Sequence, residues 1–379
     1  MSTGIRSKLF EPVQVGKLVL KHRVVHAPLT RMRCDDQHVP QLPVMQEYYS
    51  QRASTPGTLL IAEGTLVDPK AGGYPNVPGI WNDKQVAAWK EITDEVHKND
   101  SHIFVQLWTA GRDADPKLLA AEDPSYTLIA PSEIPMEGRE VPRALRVDEI
   151  KSLVQSYVKA ASNAVNRADF DGVEIHIANG YLINQFLEDV SNNRTDEYGG
   201  SIENRARFGL EIIEAATKKI GQEKVGVRFS PWSTFQDMRM QDPIPTYSYM
   251  VKTIKNLYPN FAYISVCEPR VHGSTAQDTA VAITDSNNFI RDIWAPRPLI
   301  VAGGFDRESA IARADETSDL IAFGRKYTSN PDLPKRLFQN LPLTPHDRSS
   351  FYLQGDTSGR GYTDWPFAVQ SEQAVSVVT

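Results

Sequence analysis

Six residues, His176-Ile177-Ala178-Asn179-Gly180-Tyr181, follow the short apolar run Gly172-Val173-Glu174-Ile175. The side chains of His176 and Asn179 can both donate hydrogen bonds to one oxygen, and Tyr181 can deliver a proton nearby. Such a set is suited to polarising a carbonyl while protonating an adjacent carbon. Taken singly, each residue has a plainer role: a satisfied structural histidine, a turn-forming asparagine, a core ring with its hydroxyl outward. Their clustering where a strand gives way to a helix favours chemistry. The His-x-x-Asn spacing lacks the second histidine or acidic partner of a common zinc site, so no metal is expected.

The elements that must position this cluster are legible as short apolar runs alternating with helical patterns. The runs are Val24–Thr30, Thr58–Thr65, His102–Trp108, Gly172–Asn179, Val225–Pro231, Phe261–Cys267, Pro298–Gly304 and Leu320–Lys326. They are rich in Val, Ile, Leu and Phe with little polar alternation, as strands covered on both faces should be. Amphipathic stretches lie between them at Asp83–Lys98, Val147–Arg167, Ile202–Ile220 and Asp306–Ala314. Asp148 and Glu149 place acidic groups where a helix dipole favours them. Eight such units predict a (β/α)8 TIM barrel, which typically needs ~250 residues. A doubly wound sheet is the rival, but no GxGxxG follows the first run.

With 379 residues, the chain has length to spare. Phe10–Leu20 reads as a hairpin turned at Gly16, capping the N-terminal end of the barrel. Thr109–Arg146 reads as a lid insertion after the third strand, and residues 340–379 as a C-terminal tail whose last dozen residues are loose. The whole of 1–379 is thus expected to be a single domain.

Composition bounds the partners. The chain is 41% hydrophobic and 23% charged, with a net charge of -6, as in a soluble globular protein without a general polyanion-binding face. No nucleic acid partner is expected, and no membrane span, since no run nears the ~20 apolar residues required. Cys34 and Cys267 form no CxxC pair and read as buried thiols with no neighbouring base. A cytoplasmic location is expected, because the first residues lack a signal-peptide core.

In such barrels the chemistry sits at the C-terminal ends of strands. The ends here carry Pro28-Leu29-Thr30, Glu63-Gly64, Gln106-Leu107-Trp108, Arg228, Gly303-Gly304 and Gly324-Arg325. Gln106 can donate and accept, Thr30 can donate, and Arg228 can stabilise negative charge, which would serve a planar heterocycle. Gly303, Gly304 and Gly324 let backbone N–H groups approach a phosphate, and Arg325 adds a forked cation. Tyr74, Trp108, Phe235 and Tyr352 are aromatics able to line a pocket or to serve as core.

Longer motifs carry a resemblance. They are Ala27-Pro28-Leu29-Thr30-Arg31-Met32-Arg33, Ala71-Gly72-Gly73-Tyr74, the His176–Tyr181 segment, Tyr198-Gly199-Gly200-Ser201-Ile202-Glu203-Asn204-Arg205 and Phe323-Gly324-Arg325. With them the chain resembles the Old Yellow Enzymes, FMN-dependent ene-reductases, and the yeast and fungal branch most. The resemblance runs from Leu9 to Phe367. It implies FMN held by Pro28, Leu29, Thr30, Gly64, Gln106, Arg228, Gly303, Gly304, Gly324 and Arg325. It implies a substrate cavity shaped by Tyr74, Trp108, Phe235 and Tyr352, with His176 and Asn179 on the carbonyl oxygen and Tyr181 as proton donor. The implied reaction is NADPH-driven reduction of the C=C bond of an α,β-unsaturated carbonyl, with hydride from flavin N5. The nicotinamide is then a transient visitor, which fits the missing GxGxxG. The implied partner is a small enone or enal, and the implied assembly a monomer or homodimer. Fungal members of alkaloid pathways that lack the tyrosine behave more as flavin-assisted isomerases, so Tyr181 favours reduction here.

Overall fold

Eight strands pair in parallel and close into a barrel in a computed structural model describing residues 7–272, 275–276 and 285–368. They are β1 Val24–His26, β2 Leu59–Leu66, β3 His102–Trp108, β4 Gly172–Ile177, β5 Val225–Phe229, β6 Tyr263–Cys267, β7 Leu299–Ala302 and β8 Leu320–Phe323. Each pairs with its sequence neighbours, and β8 pairs back onto β1 with Ala322 opposite Val25. This is the (β/α)8 barrel expected from the apolar runs.

Burial on both faces explains the composition of the strands. Val25, Leu59, Ile61, Phe104, Ile300 and Leu320 pack together in one cluster inside the barrel. Their neighbours Val24, Leu60, Ile103, Val173, Val227 and Ile321 belong to the cluster shared with the helices. The period of two thus survives as two apolar faces rather than as polar alternation.

The hairpin comprises Val13–Val15 and Leu18–Leu20, paired antiparallel, and sends Val15 and Leu20 into the inner cluster. Gly16 at its turn has φ +56, and a Cβ there would lie 2.1 Å from the carbonyl oxygen of Glu223, just before β5. Only glycine brings the turn so close to the N-terminal rim of the barrel. The helices Asp83–Lys98 and Ile202–Ile220 match their sequence bounds because each has a side-chain cap. Asn82 and Gln85 form a capping box on the first, and Ser201 accepts from the Asn204 N–H on the second.

The strand ends differ from expectation. Runs that read to Thr30, Asn179, Pro231, Gly304 and Lys326 stop pairing at His26, Ile177, Phe229, Ala302 and Phe323. Pro28 and Pro231 have no N–H for the ladder, while Asn179, Gly303 and Gly304 take positive φ. The residues freed from pairing are the ones that turn toward the barrel mouth.

Two further segments complete that mouth. Residues 109–146 fold into the turn Gly111–Asp113, the helix Pro116–Glu122 and paired short strands Ile129–Ala130 and Arg143–Ala144. The segment after the helix Leu333–Gln339 is tied down as far as it is described. Buried Arg31 donates to the carbonyls of Ser350, Phe351 and Gly361, and Arg33 to those of Asp356 and Arg360. The last dozen residues, expected to be loose, fall almost wholly outside the described residues.

Candidate active site

The turn after β4 is built by backbone conformation. Asn179 and Gly180 take φ +58 and +76 in succession, a pair for which Asn and Gly are the least strained choices. Ser230 Oγ accepts from the Asn179 N–H at 2.7 Å, and Asn184 Oδ1 accepts from the Gly180 N–H at 2.9 Å. The turn delivers Tyr181 to the head of the helix Leu182–Leu187. Its ring lies edge-on to Trp108 at 5.0 Å, tilted to His176 at 5.3 Å and edge-on to Tyr74 at 6.4 Å.

These residues face a cavity of about 540 Å³ at the C-terminal ends of the strands. His176, Asn179, Tyr181, Tyr74, Trp108, Phe235 and Tyr352 line it. So do Pro28, Leu29, Thr30, Gln106, Arg228, Gly303, Gly304, Gly324 and Arg325. Gly64 alone of the expected set is not on the wall. It lies behind, where a Cβ would meet the Trp108 indole at 3.3 Å and Gln106 Oε1 at 3.6 Å.

Electrostatics divides the cavity. Burial, reinforced by Arg228, holds the His176 pKa well below the usual histidine range, so the ring is neutral and donates one hydrogen bond. Burial pushes Tyr181 up, helped by the charge of Asp113, so the phenol keeps its proton until a strong base forms beside it. Burial alone would lower the Arg228 pKa, but Cys267 and Glu174 outweigh it and keep the guanidinium charged. Gln106 donates through Nε2 to Glu174 Oε1 at 2.7 Å. That bond commits the Gln106 amide and leaves its Oε1 as the free acceptor.

Some functional neighbours were invisible in sequence. Glu174 lies beneath Gln106, and Cys267 Sγ lies 3.2 Å from Arg228, a cationic neighbour not anticipated for that thiol. Lys326 and His346 line the cavity beside Arg325, and Arg270 lies against Gly304. Asp113 accepts from the Tyr74 hydroxyl and from Gln236 Nε2. A motif scan passes over such residues because each lies far along the chain from its partner.

The family model described as "NADH:flavin oxidoreductase / NADH oxidase family" matches residues 8–344. The chain belongs to this family. Relatives of the NADH:flavin oxidoreductases agree over almost the full length. The chain is 47% identical to "Chanoclavine-I aldehyde reductase fgaOx3" of Penicillium roqueforti, over 97% of this chain and 99% of that protein. It is 44% identical to "Probable inactive dehydrogenase easA" of Claviceps purpurea, over 95% of each. Among solved structures, Old Yellow Enzyme from a Pichia species superposes with a TM-score of 0.86 at 39% identity, covering 98% of both chains. Morphinone reductase in complex with tetrahydroNAD gives a TM-score of 0.86 at 37% identity, covering 97% of this chain and 99% of that one.

The flavin implied by this family fits the cavity. Among the described residues, His176 Nδ1, Arg228 Nε and Trp108 Nε1 are buried on its wall without a hydrogen-bond partner, which a bound polar group would relieve. Gly324 leaves room where a Cβ would meet only Leu29 at 3.1 Å and Ala27 at 4.0 Å, and the Gly303-Gly304 turn opens backbone N–H groups beside it. Among the described residues no helix is long and apolar enough to cross a membrane.

Proposed function

We propose that the protein is an FMN-dependent ene-reductase acting on α,β-unsaturated carbonyl compounds. The observation carrying this reading is that one cavity joins Tyr181, His176 and Asn179 to the polar and glycine-lined strand ends suited to a flavin. Gln106 and Arg228 would hold the pyrimidine edge, Thr30 would donate to the ring, and Gly303, Gly304, Gly324 and Arg325 would hold the phosphate. When bound, FMN supplies a hydride taken earlier from a reduced nicotinamide, for which NADPH is the proposed donor.

The side chains do the rest. The neutral His176 ring and the Asn179 amide donate to the substrate carbonyl oxygen and stabilise the negative charge that grows there. Tyr181 breaks its O–H bond as the adjacent carbon forms its C–H bond, and the phenol's electron pair stays on oxygen. Tyr74, Trp108, Phe235 and Tyr352 confine the apolar part of the substrate and exclude water. The same reading takes 1–379 as one flavin-binding domain with 109–146 over its mouth, working in the cytoplasm as a monomer or homodimer.

A second reading is a flavin-assisted isomerase or reductase of an alkaloid-type fungal pathway, supported by the names of the relatives above. A deuterated nicotinamide separates the two: deuterium at the product β-carbon supports reduction, and product without net nicotinamide consumption supports isomerisation. The first test is a panel of enones and enals, beginning with cyclohexenone, on protein purified with its flavin identified. Colourless protein, or flavin that no enone reoxidises, would refute the proposal.

A further inference from the structure

The least expected charge near Tyr181 comes from the segment 109–146. Asp113 ends the turn Gly111–Asp113 and is 9% exposed. Its Oδ2 accepts from the Tyr74 hydroxyl and, at 2.7 Å, from Gln236 Nε2. Arg139 reaches Oδ1 only at 3.5 Å and is itself half exposed, so it offsets the charge weakly.

Gln236 is held where few residues rest. Its φ is +59 and that of Asp237 is +56, both left-handed. Arg112 donates to the carbonyls of both, and the Glu137 N–H donates to Asp237 Oδ2. Gly180 has no Cβ, and one there would come within 2.7 Å of Gln236 Cβ. Backbone strain and a required glycine thus bring Gln236 against Tyr181. Gln236 Oε1 has no hydrogen-bond partner among the described residues, while Gln236 acts on Tyr181 as a hydrogen-bonding donor that favours the phenolate and lowers its pKa.

We propose that Asp113 is a positioning residue that governs proton delivery by Tyr181. Its carboxylate anchors Gln236 and Tyr74 around the phenol, and its negative charge restrains the phenol from becoming a phenolate. Uptake of a proton by Asp113 removes the charge and releases that restraint, so the proton transfer accelerates. The inference rests on the reading of Tyr181 as proton donor.

Among the described residues, the groups facing Asp113 come from four segments. Tyr74 comes from the loop after β2, Gln236 from the loop after β5, Arg139 from its own segment, and Tyr181 from the turn after β4. Arg112 points away, to the carbonyls of Gln236 and Asp237. Burial, opposed by Arg139, raises the Asp113 pKa to about 6, which places its titration within the working range of an enzyme. By sign, the charged and restraining form prevails above that pH and the neutral form below it.

The test is anaerobic reoxidation of the NADPH-reduced holoprotein by an enone, in ordinary and deuterated water, from about pH 5 to about pH 8. Wild-type protein should react faster on the acid side, with a step near pH 6 and a solvent isotope effect. Asp113→Asn keeps a carbonyl acceptor for Tyr74 and Gln236 but loses the charge. It should abolish the step and raise the rate at the alkaline end, on the order of tenfold for one unit of Tyr181 acidity. Asp113→Ala loses the anchor too and should be slow throughout. A wild-type profile without the step, or an Asp113→Asn profile that keeps it, overturns the inference. Tyr181→Phe run alongside separates the levels. If it matches wild type, the proton-donor reading has failed; if it is slow while Asp113→Asn tracks wild type, only the role of Asp113 has.

Discussion

His176 and Asn179 share one structural consequence: both offer a donor while carrying no charge. Burial and Arg228 keep the imidazole neutral far below its usual range, so ligand binding should not switch on and off with histidine protonation at ordinary pH. A phenol would present its oxygen to the two donors as an enolate does. The double variant His176→Ala, Asn179→Ala should therefore weaken phenol binding by about a hundredfold or more, since each lost donor to a charged oxygen is worth roughly 1.5–3 kcal/mol. Titration of the holoprotein, following the charge-transfer band of phenol over the flavin, would measure it. Unchanged affinity would remove these residues from the carbonyl site. Sequence reasoning reached the cavity-lining residues that sit in short continuous motifs, His176 to Tyr181, Gly303-Gly304 and Gly324-Arg325, and those at strand ends such as Gln106 and Arg228. Asp113 and Gln236 stand 123 residues apart, and Gln106 and Glu174 stand 68 apart. Only the closed barrel joins such pairs, so no local pattern announces them.

The strand ends show what element-level reasoning can and cannot reach. The apolar runs located all eight strands because both faces of each are buried. Their C-terminal limits were overshot because Pro28, Asn179 and Gly303-Gly304 leave the ladder through backbone geometry while the local composition stays apolar or permissive. The anchoring of the segment 340–368 is hidden from local pattern for a related reason. Its anchors, Arg31 and Arg33, lie more than three hundred residues upstream, and Arg31 donates to the Gly361 carbonyl at 2.8 Å. Arg31→Met should thus free the wall that carries Phe351 and Tyr352. The expected cost is about 3 kcal/mol or more, from unpaired carbonyls and a lost buried cation. The measurements are thermal unfolding and limited proteolysis, with new cleavage between residues 344 and 362. A variant as stable and as protease-resistant as wild type would contradict the latch.

Across the whole molecule, buried carboxylates set how stability responds to pH. Burial raises Glu63 and Glu188 to about 7, against the pull of hydrogen bonds from Tyr49 to the first and from Tyr247 and Asn184 to the second. A carboxyl whose folded pKa is raised binds its proton more tightly when folded. The stability it contributes is complete below its unfolded pKa, near 4.5, and is lost as pH rises through about 7. Glu188→Gln should accordingly flatten the fall in melting temperature across that window, and a slope identical to wild type would refute the assignment. The central claim concerns the reaction, in which one cavity joins a flavin to a proton donor on Tyr181. Its most direct test compares wild type and Tyr181→Phe by stopped flow in two separate steps. Flavin reduction by NADPH should be unaltered, while reoxidation by cyclohexenone should slow by about 100- to 10,000-fold, the usual span for a lost general acid. Equal reoxidation rates in the two proteins would contradict it.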